Sequence, residues 1–360
     1  GTVTGFGTYT SGVLGSVPVN MGNNITYCYN TGTVAGQGAN AAGICGQLSG
    51  ANLMGTDRTS RLNLCYNLGE VRGEGDDTAA AGINMENKLA TFISGNGSWA
   101  VNCFNYGSVT AKSGKVAAIT YEGYDINSNC CYLAGSAGIN PVDASNGYAY
   151  DAAAFSSGEV AYALDKGDDP NRLENWGQGG IYPVPAGSEN PAVYKMTIEV
   201  TGDGENKVKY KDIEIAAGNA DYTYVYAGKR FDFQYEVSDG YLLDNINFGT
   251  GDLSAVLDEE SKTFSFTMRG NENISVFVKF MQIPEGLKDT YTVTYDANGG
   301  RWMNESTYFI DVVKGGGRTS KPDMNPYFPS SPVLTTFSRA GLLMKNVQYH
   351  IISHQRLLRI

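Results

Sequence analysis

Residues 28–34 read Cys28-Tyr29-Asn30-Thr31-Gly32-Thr33-Val34. The phrase returns as Cys65-Tyr66-Asn67-Leu68-Gly69-Glu70-Val71 and as Cys103-Phe104-Asn105-Tyr106-Gly107-Ser108-Val109. A degenerate fourth copy is read at Cys131-Tyr132-Leu133. Some ten residues behind each full copy comes a small residue followed by Ile, at Gly43-Ile44, Gly82-Ile83 and Ala118-Ile119. Gly1-Thr2-Val3 and Gly12-Val13 continue the series backwards, so the chain is expected to begin inside a repeat. Each unit consists of short β-prone pieces broken by Gly, Asn, Ser and Thr, with no apolar stripe of helical period. One such unit cannot bury an apolar side alone. Stacked units share a core and cover each other's edges, which predicts a β-solenoid over residues 1–140. Equivalent positions then lie above one another. Cys28, Cys65 and Cys103 form one ladder, and Asn30, Asn67 and Asn105 form another whose amides can satisfy each other at a bend.

This pattern resembles the GLUG-like, glycine-rich repeats of large exported surface proteins of gut bacteria. There a Cys-Tyr-Asn-x-Gly-x-Val phrase precedes a Gly-Gly-Ile-x-Gly phrase, here Ala42-Gly43-Ile44-Cys45-Gly46. The likeness covers about residues 1–139 and continues past them. Such proteins follow their last repeat with a short helical phrase, a Trp-Gly-Gln and an aromatic-Pro. Here these are Ser157-Gly158-Glu159-Val160-Ala161-Tyr162-Ala163-Leu164, Trp176-Gly177-Gln178 and Tyr182-Pro183. The resemblance implies a right-handed parallel β-helix used for adhesion or surface display, outside the cell, rather than for a defined reaction.

Residues 141–192 read as a helical cap and linker. The best helix runs from Ala152 to Leu164, with Ser156 or Ser157 as its N-cap and Gly167 as its stop. Residues 193–281 read as a small β domain. Apolar and polar residues alternate over Val193 to Val200, Phe231 to Val237, Thr263 to Met268 and Ile274 to Phe280, and Asp239-Gly240-Tyr241 and Asn271-Glu272-Asn273 read as turns. The end of this segment resembles the small β modules strung along bacterial surface proteins. In residues 291–360, Tyr291-Thr292-Val293-Thr294-Tyr295-Asp296-Ala297-Asn298-Gly299-Gly300, Val313-Lys314-Gly315-Gly316 and Lys321-Pro322-Asp323 resemble the internalin-type B-repeat, a β-grasp-like module. Asn298-Gly299 also reads as a two-residue hairpin turn. The expected fold class is therefore mainly all-β: a parallel β-helix followed by one or two small β modules, β-sandwich or β-grasp-like.

The B-repeat likeness stops at about residue 324. No Asp or Glu follows Asp323, and Ala340-Gly341-Leu342-Leu343-Met344-Lys345-Asn346-Val347 lacks the Trp phrase that the family would supply. A codon choice for those eight residues has a neighbouring frame that supplies it. A frameshift within residues 324–339 is the hypothesis, a divergent basic tail the alternative, and resequencing of the DNA decides between them.

Composition excludes several chemistries. The net charge of −11 is unsuited to nucleic acid, whose phosphates need a basic patch. No apolar run approaches the ~20 residues of a membrane span, so no membrane insertion is expected. Both histidines, His350 and His354, lie in the last eleven residues, so residues 1–349 cannot supply a histidine general base or a His-liganded zinc. The six cysteines read as small core residues, with at least one disulfide as the alternative in an exported protein, and zinc is not expected because there is no C-x-x-C and no histidine nearby. Cys130 and Cys131 must face opposite sides if extended, so at most one points inward. Among the carboxylates Asp57, Glu70, Glu74, Asp76, Asp77, Glu86, Glu122 and Asp125, only Glu74 to Asp77 cluster, in a solvated glycine loop. Asp165, Asp168 and Asp169 read as another polar loop. No catalytic residue, metal or cofactor is assigned.

Tyr29, Tyr66, Phe104 and Tyr132 give the one binding hint, because an exposed aromatic ladder could stack on sugar rings. Parity gives two answers. Ile25 and Tyr27 share it with Tyr29, and Leu62 and Leu64 with Tyr66, which places those rings inside. Val101 shares it with Cys103, which places Phe104 outside. The function expected from the residues is non-enzymatic adhesion or display at a bacterial cell surface. Host or dietary glycans, or an extracellular matrix protein, are the possible partners. A β-helix lyase or glycosidase and a structural cell-wall spacer are the alternatives. Paired carboxylates in a groove would favour the first, and the lack of any binding face the second.

Overall fold

The computed structural model describes residues 1–343 other than 19–21, 54, 55, 59, 90–98, 124–126, 138–146, 168, 170, 172, 227, 250–252, 254, 269–271, 284–289, 297–307, 315–332, 340 and 341. Beyond residue 283 only its strands are described. Asp125, Asp168, Asn271, Asn298-Gly299, Lys321-Pro322-Asp323 and both histidines lie outside the described residues. The chain is mainly β, and it divides into two compact units, Gly1–Val193 and Tyr194–Ile360.

The first unit contains five sheets of parallel strands, to one of which Thr56–Arg58 adds antiparallel, and equivalent repeat residues are partners in them. Tyr29 pairs with Tyr66, Tyr66 with Phe104, and Asn30 with Asn67 and Asn67 with Asn105. Val3, Val34, Val71 and Val109 are likewise successive partners. Between one Cys-Tyr-Asn phrase and the next, the chain visits the sheets in a fixed cyclic order. From Tyr29–Asn30 it passes through Thr33–Gly36, Asn40–Ala42 and Cys45–Leu53 to Arg61–Asn63, and then re-enters the first sheet at Tyr66–Asn67. Identical residues therefore meet identical residues. Cys45, Cys65, Cys103 and Cys130 pack with Ile44, Ile83, Ile119 and Leu62 in one buried cluster, with Cys28 against it, and Val34, Val71 and Val109 centre a second.

The asparagines carry the polar side of this stacking. The Asn30 Nδ2 donates to Asn67 Oδ1 at 2.7 Å, Asn67 Nδ2 donates to Asn105 Oδ1 at 2.8 Å, and Asn105 Nδ2 donates to Ser136 Oγ at 3.3 Å. Each amide also donates to the carbonyl two residues on, at Gly32, Gly69 and Gly107. A Cβ at Gly69 would run into the carbonyl oxygen of Gly32, so the phrase needs glycine there. A residue with left-handed backbone recurs just before each cysteine of the cluster ladder: Tyr27, Leu64, Asn102 and Asn129, ahead of Cys28, Cys65, Cys103 and Cys130, have φ of 55°, 56°, 50° and 53°. Such values are uncommon outside glycine, and here they turn the chain from one sheet into the next.

The fourth copy departs from its reading by one residue. Cys131 pairs with Phe104 and Tyr132 with Asn105. Cys130, not Cys131, stands in the cysteine cluster. The expected helix is two short ones, Ala152–Ser157 and Glu159–Leu164, divided at Gly158 with φ 98°. Its N-cap is Asp151, whose carboxylate accepts from the Ala154 N–H at 2.7 Å. Ser157 instead caps nothing before the break, and its hydroxyl accepts from Glu159 N–H at 3.3 Å.

In the second unit one four-stranded sheet has the order Asn219–Tyr226, Val193–Thr201, Ile274–Gln282, Tyr241–Phe248, with the central pair parallel. An antiparallel five-stranded sheet has the order Ile213–Ala216, Lys207–Tyr210, Arg230–Glu236, Thr263–Thr267, Ala255–Asp258. Along Arg230–Glu236 exposure and burial alternate residue by residue, as the sequence pattern requires. The two sheets meet through rings, with Phe248 on Phe266 at 4.7 Å and Tyr235 near Phe280 at 6.4 Å. The strands Tyr308–Lys314, Thr290–Asp296, Val333–Arg339 and Leu342–Leu343 form a further antiparallel sheet in that order.

Replacing Asn67 by Ala orphans buried amide groups of both neighbours and should cost ~1–3 kcal/mol in urea unfolding of the first unit. Asn30→Ala, at the end of the ladder, should cost less. Equal effects at the two positions would show that the ladder does not carry the stacking.

Candidate functional site

The aromatic ladder is real but shorter than expected. The Tyr29, Tyr66 and Phe104 rings stack at 5.1 and 5.0 Å with interplanar angles of 9° and 7°. Tyr132 is not part of it, because the fourth copy puts Cys131 at that level. The sulfurs and rings of one phrase take opposite sides of the strand, yet both sides are buried: Cys65 is 0% and Tyr66 7% exposed, Cys103 and Phe104 both 0%. Cys130 and Cys131 follow suit, at 1% and 0%. The premise that only one of two adjacent residues can be interior fails, because the outer side is itself covered.

The cover is built from residues 151–185. Trp176 lies edge-on to Tyr66 and Phe104, with centroids 5.9 and 5.4 Å away. Phe155 packs on Phe104 at 5.8 Å and on Tyr106 at 5.1 Å, and Tyr182 reaches Tyr106 at 6.0 Å. Each part of the Trp-Gly-Gln phrase has its own task. Trp176 fills the space over the ladder and is fully buried. Gly177 approaches Asn190 so closely that a Cβ would strike its carbonyl oxygen. The Gln178 Nε2 donates to the Phe155 carbonyl at 2.9 Å and so holds the first helix. Asp165, read from sequence as a loop residue, is fully buried and anchors the cover. Its carboxylate accepts from the Asn175 N–H at 3.0 Å and the Trp176 N–H at 3.2 Å. Asn129, the left-handed residue of the fourth copy, donates to the Leu164 carbonyl at 2.6 Å and to Asn102 Oδ1 at 2.8 Å, tying the second helix to the repeats. The rings at 155, 176 and 182 escaped the sequence reading of the ladder because nothing local couples them to it. Their only sequence signal is the Trp-Gly-Gln and aromatic-Pro wording.

The six cysteines are free thiols, five of them buried and Cys28 partly so. Burial pushes Cys45 up to about 12 and raises Cys131 and Cys103 above the ordinary range, while Cys65 is raised chiefly by its neighbour Cys103. Such thiols stay protonated and are poor nucleophiles and ligands. Asp76 of the acidic loop is exposed and pairs with Lys112, which lowers its pKa. Arg72 lies between Glu70 and Glu74 at 3.7 and 3.4 Å. Among the described residues no group of three or more His, Cys, Asp or Glu is placed to hold a metal, and no helix is long and apolar enough to cross a membrane.

One polar column was missed. Ser16, Gln47, Glu86 and Glu122 are successive partners in one sheet. Gln47 Nε2 donates to Glu86 Oε2 at 2.7 Å, and the Tyr9 hydroxyl donates to the same oxygen. Burial and then Glu86 raise the Tyr9 pKa, which keeps it a donor. Ladder partners on adjacent strands lie ~4.8 Å apart, so Glu122 stands beside Glu86. Both carboxylates rise from one face of one sheet.

Comparison with protein-family profiles, with curated proteins and with solved structures gives no match. The cover makes a sharp prediction. Trp176→Ala should destabilise the first unit by ~3–5 kcal/mol through the cavity it leaves over Tyr66 and Phe104, whereas Tyr29→Ala, at 57% exposure, should cost far less. Denaturant titration of both variants checks this, and a neutral Trp176→Ala would mean that the ladder is not held from outside.

Proposed function

We propose that the first unit is a right-handed parallel β-helix of GLUG-like repeats, and that the chain serves surface display in an exported bacterial protein. The observation that carries this reading is the in-register stacking of Cys-aromatic-Asn-x-Gly-x-Val phrases in five parallel sheets. It supports a rigid rod of constant cross-section, whose use is to hold something at a distance. The second unit fits the role of a small β module in such an assembly, with the B-repeat likeness at its end resting on sequence.

The ladder is read as a clamp rather than as a sugar platform. Phe104 and Tyr66 turn their outer side to Trp176 and Phe155, so Tyr29 is the one ladder ring open to solvent. Adhesion to host or dietary glycans, or to a matrix protein, would have to use another face.

A β-helix glycosidase or lyase is less well supported. Glu86 and Glu122 have about the spacing of a retaining pair, but such carboxylates flank the bond they cleave. Two residues side by side on one sheet face do not, and Glu86 is engaged by Tyr9 and Gln47. In the bacterium that makes the protein, protease shaving of intact cells should release peptides of residues 1–193, and the purified chain should leave polysaccharides uncut. A protein retained inside intact cells, or one that depolymerises a glycan in a manner abolished by Glu122→Gln, would sink the proposal.

A further inference from the structure

Three lysines of the second unit stand apart from their neighbours. Lys207 and Lys209 pair with Glu214 and Glu236, and Lys279 pairs with Asp244. Lys195, Lys211 and Lys229 have no ion-pair partner among the described residues, and each lies over a tyrosine ring instead. Lys195 Nζ is 4.7 Å from the centroid of Tyr222, Lys229 Nζ 5.6 Å from that of Tyr226 and Lys211 Nζ 5.1 Å from that of Tyr210. Tyr222 and Tyr226 belong to one strand, Asn219–Tyr226, the outermost of its sheet among the described residues. The period of two puts Tyr222, Tyr224 and Tyr226 on one side of it and the buried Val225 on the other. Tyr222 is 46% exposed and meets Tyr224 edge to face at 5.8 Å. Burial and then Tyr226 raise the pKa of Tyr210, which places that ring and its lysine beside the row.

A lysine resting on a ring keeps its full charge, because the ring attracts the ammonium without neutralising it. An anion can bind it without first breaking an ion pair. The ring also restrains the long side chain, so less freedom is lost on binding. Nearby carboxylates do not cancel the charge. Asp232 pairs with Arg230 at 2.8 Å, and Asp221 accepts from the Tyr222 N–H at 2.8 Å. At ~3.3 Å per residue, Tyr222 and Tyr226 are ~13 Å apart along the strand, a length that suits a chain molecule with repeated anionic groups better than one small ion. Half-exposed rings offer such a chain faces on which sugar rings stack. In a molecule of net charge −11 an acidic polymer is repelled by most of the surface, and charge complementarity directs it to this row.

We propose that this row binds an acidic polysaccharide, its carboxylate or sulfate groups on Lys195, Lys211 and Lys229 and its sugar faces on Tyr222 and Tyr224. The inference goes beyond the display role and does not depend on it. Calorimetric titration of the full chain with polygalacturonate and with heparin tests it, with dextran as a neutral polymer and poly-L-glutamate as an acidic peptide. Binding to at least one of the two acidic polysaccharides is expected, and which one identifies the anion. It should weaken as NaCl is raised, and Lys195→Gln with Lys229→Gln should weaken it ~10-fold. Tyr222→Ala should weaken it too, without a change in thermal unfolding. Lys262→Gln removes a lysine that rests on Tyr235 at 5.7 Å, away from the row, and should bind as the unaltered chain does. No binding to either acidic polysaccharide overturns the proposal. So does equal binding of dextran, which would make the lysines irrelevant, or of poly-L-glutamate, which would point to an acidic protein. A loss as large with Lys262→Gln as with the paired substitution overturns it as well.

Discussion

The first unit depends on one constraint: a side chain must be satisfied by its own kind one strand away. Asparagine meets this uniquely well, because its amide carries both a donor and an acceptor. Asn30, Asn67 and Asn105 therefore form a directional chain of hydrogen bonds through the interior, ended by the Ser136 hydroxyl. A buried amide without such a neighbour would be costly, so this ladder fixes which residue lies above which. Valine, cysteine and aromatic ladders then follow from the same register, and each buries apolar surface that a single copy would leave in water.

Stacking alone would leave the outward-facing rings wet. Residues 151–185 supply the missing side. They are held there by polar anchors on both partners: Asp165 on the Trp176 backbone, Gln178 on the Phe155 carbonyl, and Asn129 on the Leu164 carbonyl. The helical segment expected as an end cap is thus also a lateral strap over Tyr66 and Phe104. That arrangement moves the aromatic residues from the account of binding to the account of stability, and it leaves Tyr29 as the exposed end of the ladder.

Much of this was legible in the chain itself. The Cys, Asn, Gly and Val positions of the three full copies could be aligned by eye, because their ladders need the same residue at the same level. The strands at 193–201, 230–236, 263–267 and 274–282 followed from a period of two. What could not be read has physical causes. Alternation cannot be counted through Tyr27, Leu64 or Asn102, where a left-handed residue turns the strand, and so the parity of Tyr66 and Phe104 gave conflicting answers. In the fourth copy a second cysteine stands where the ring belongs, which moved the reading by one residue. Phe155 and Trp176 reach the ladder from 51 and 72 residues beyond Phe104, a distance no local pattern spans. Glu86 and Glu122 come together only once the register is known.

The cysteine ladder has a consequence of its own. Cys45, Cys65, Cys103 and Cys130 lie in one buried cluster, and burial or a neighbouring sulfur holds the thiols of Cys45, Cys65 and Cys103 above their ordinary range. Thiol–disulfide exchange runs through an accessible thiolate, so these sulfurs react only when the stack opens, and the rate at which a thiol reagent labels them reads out that opening.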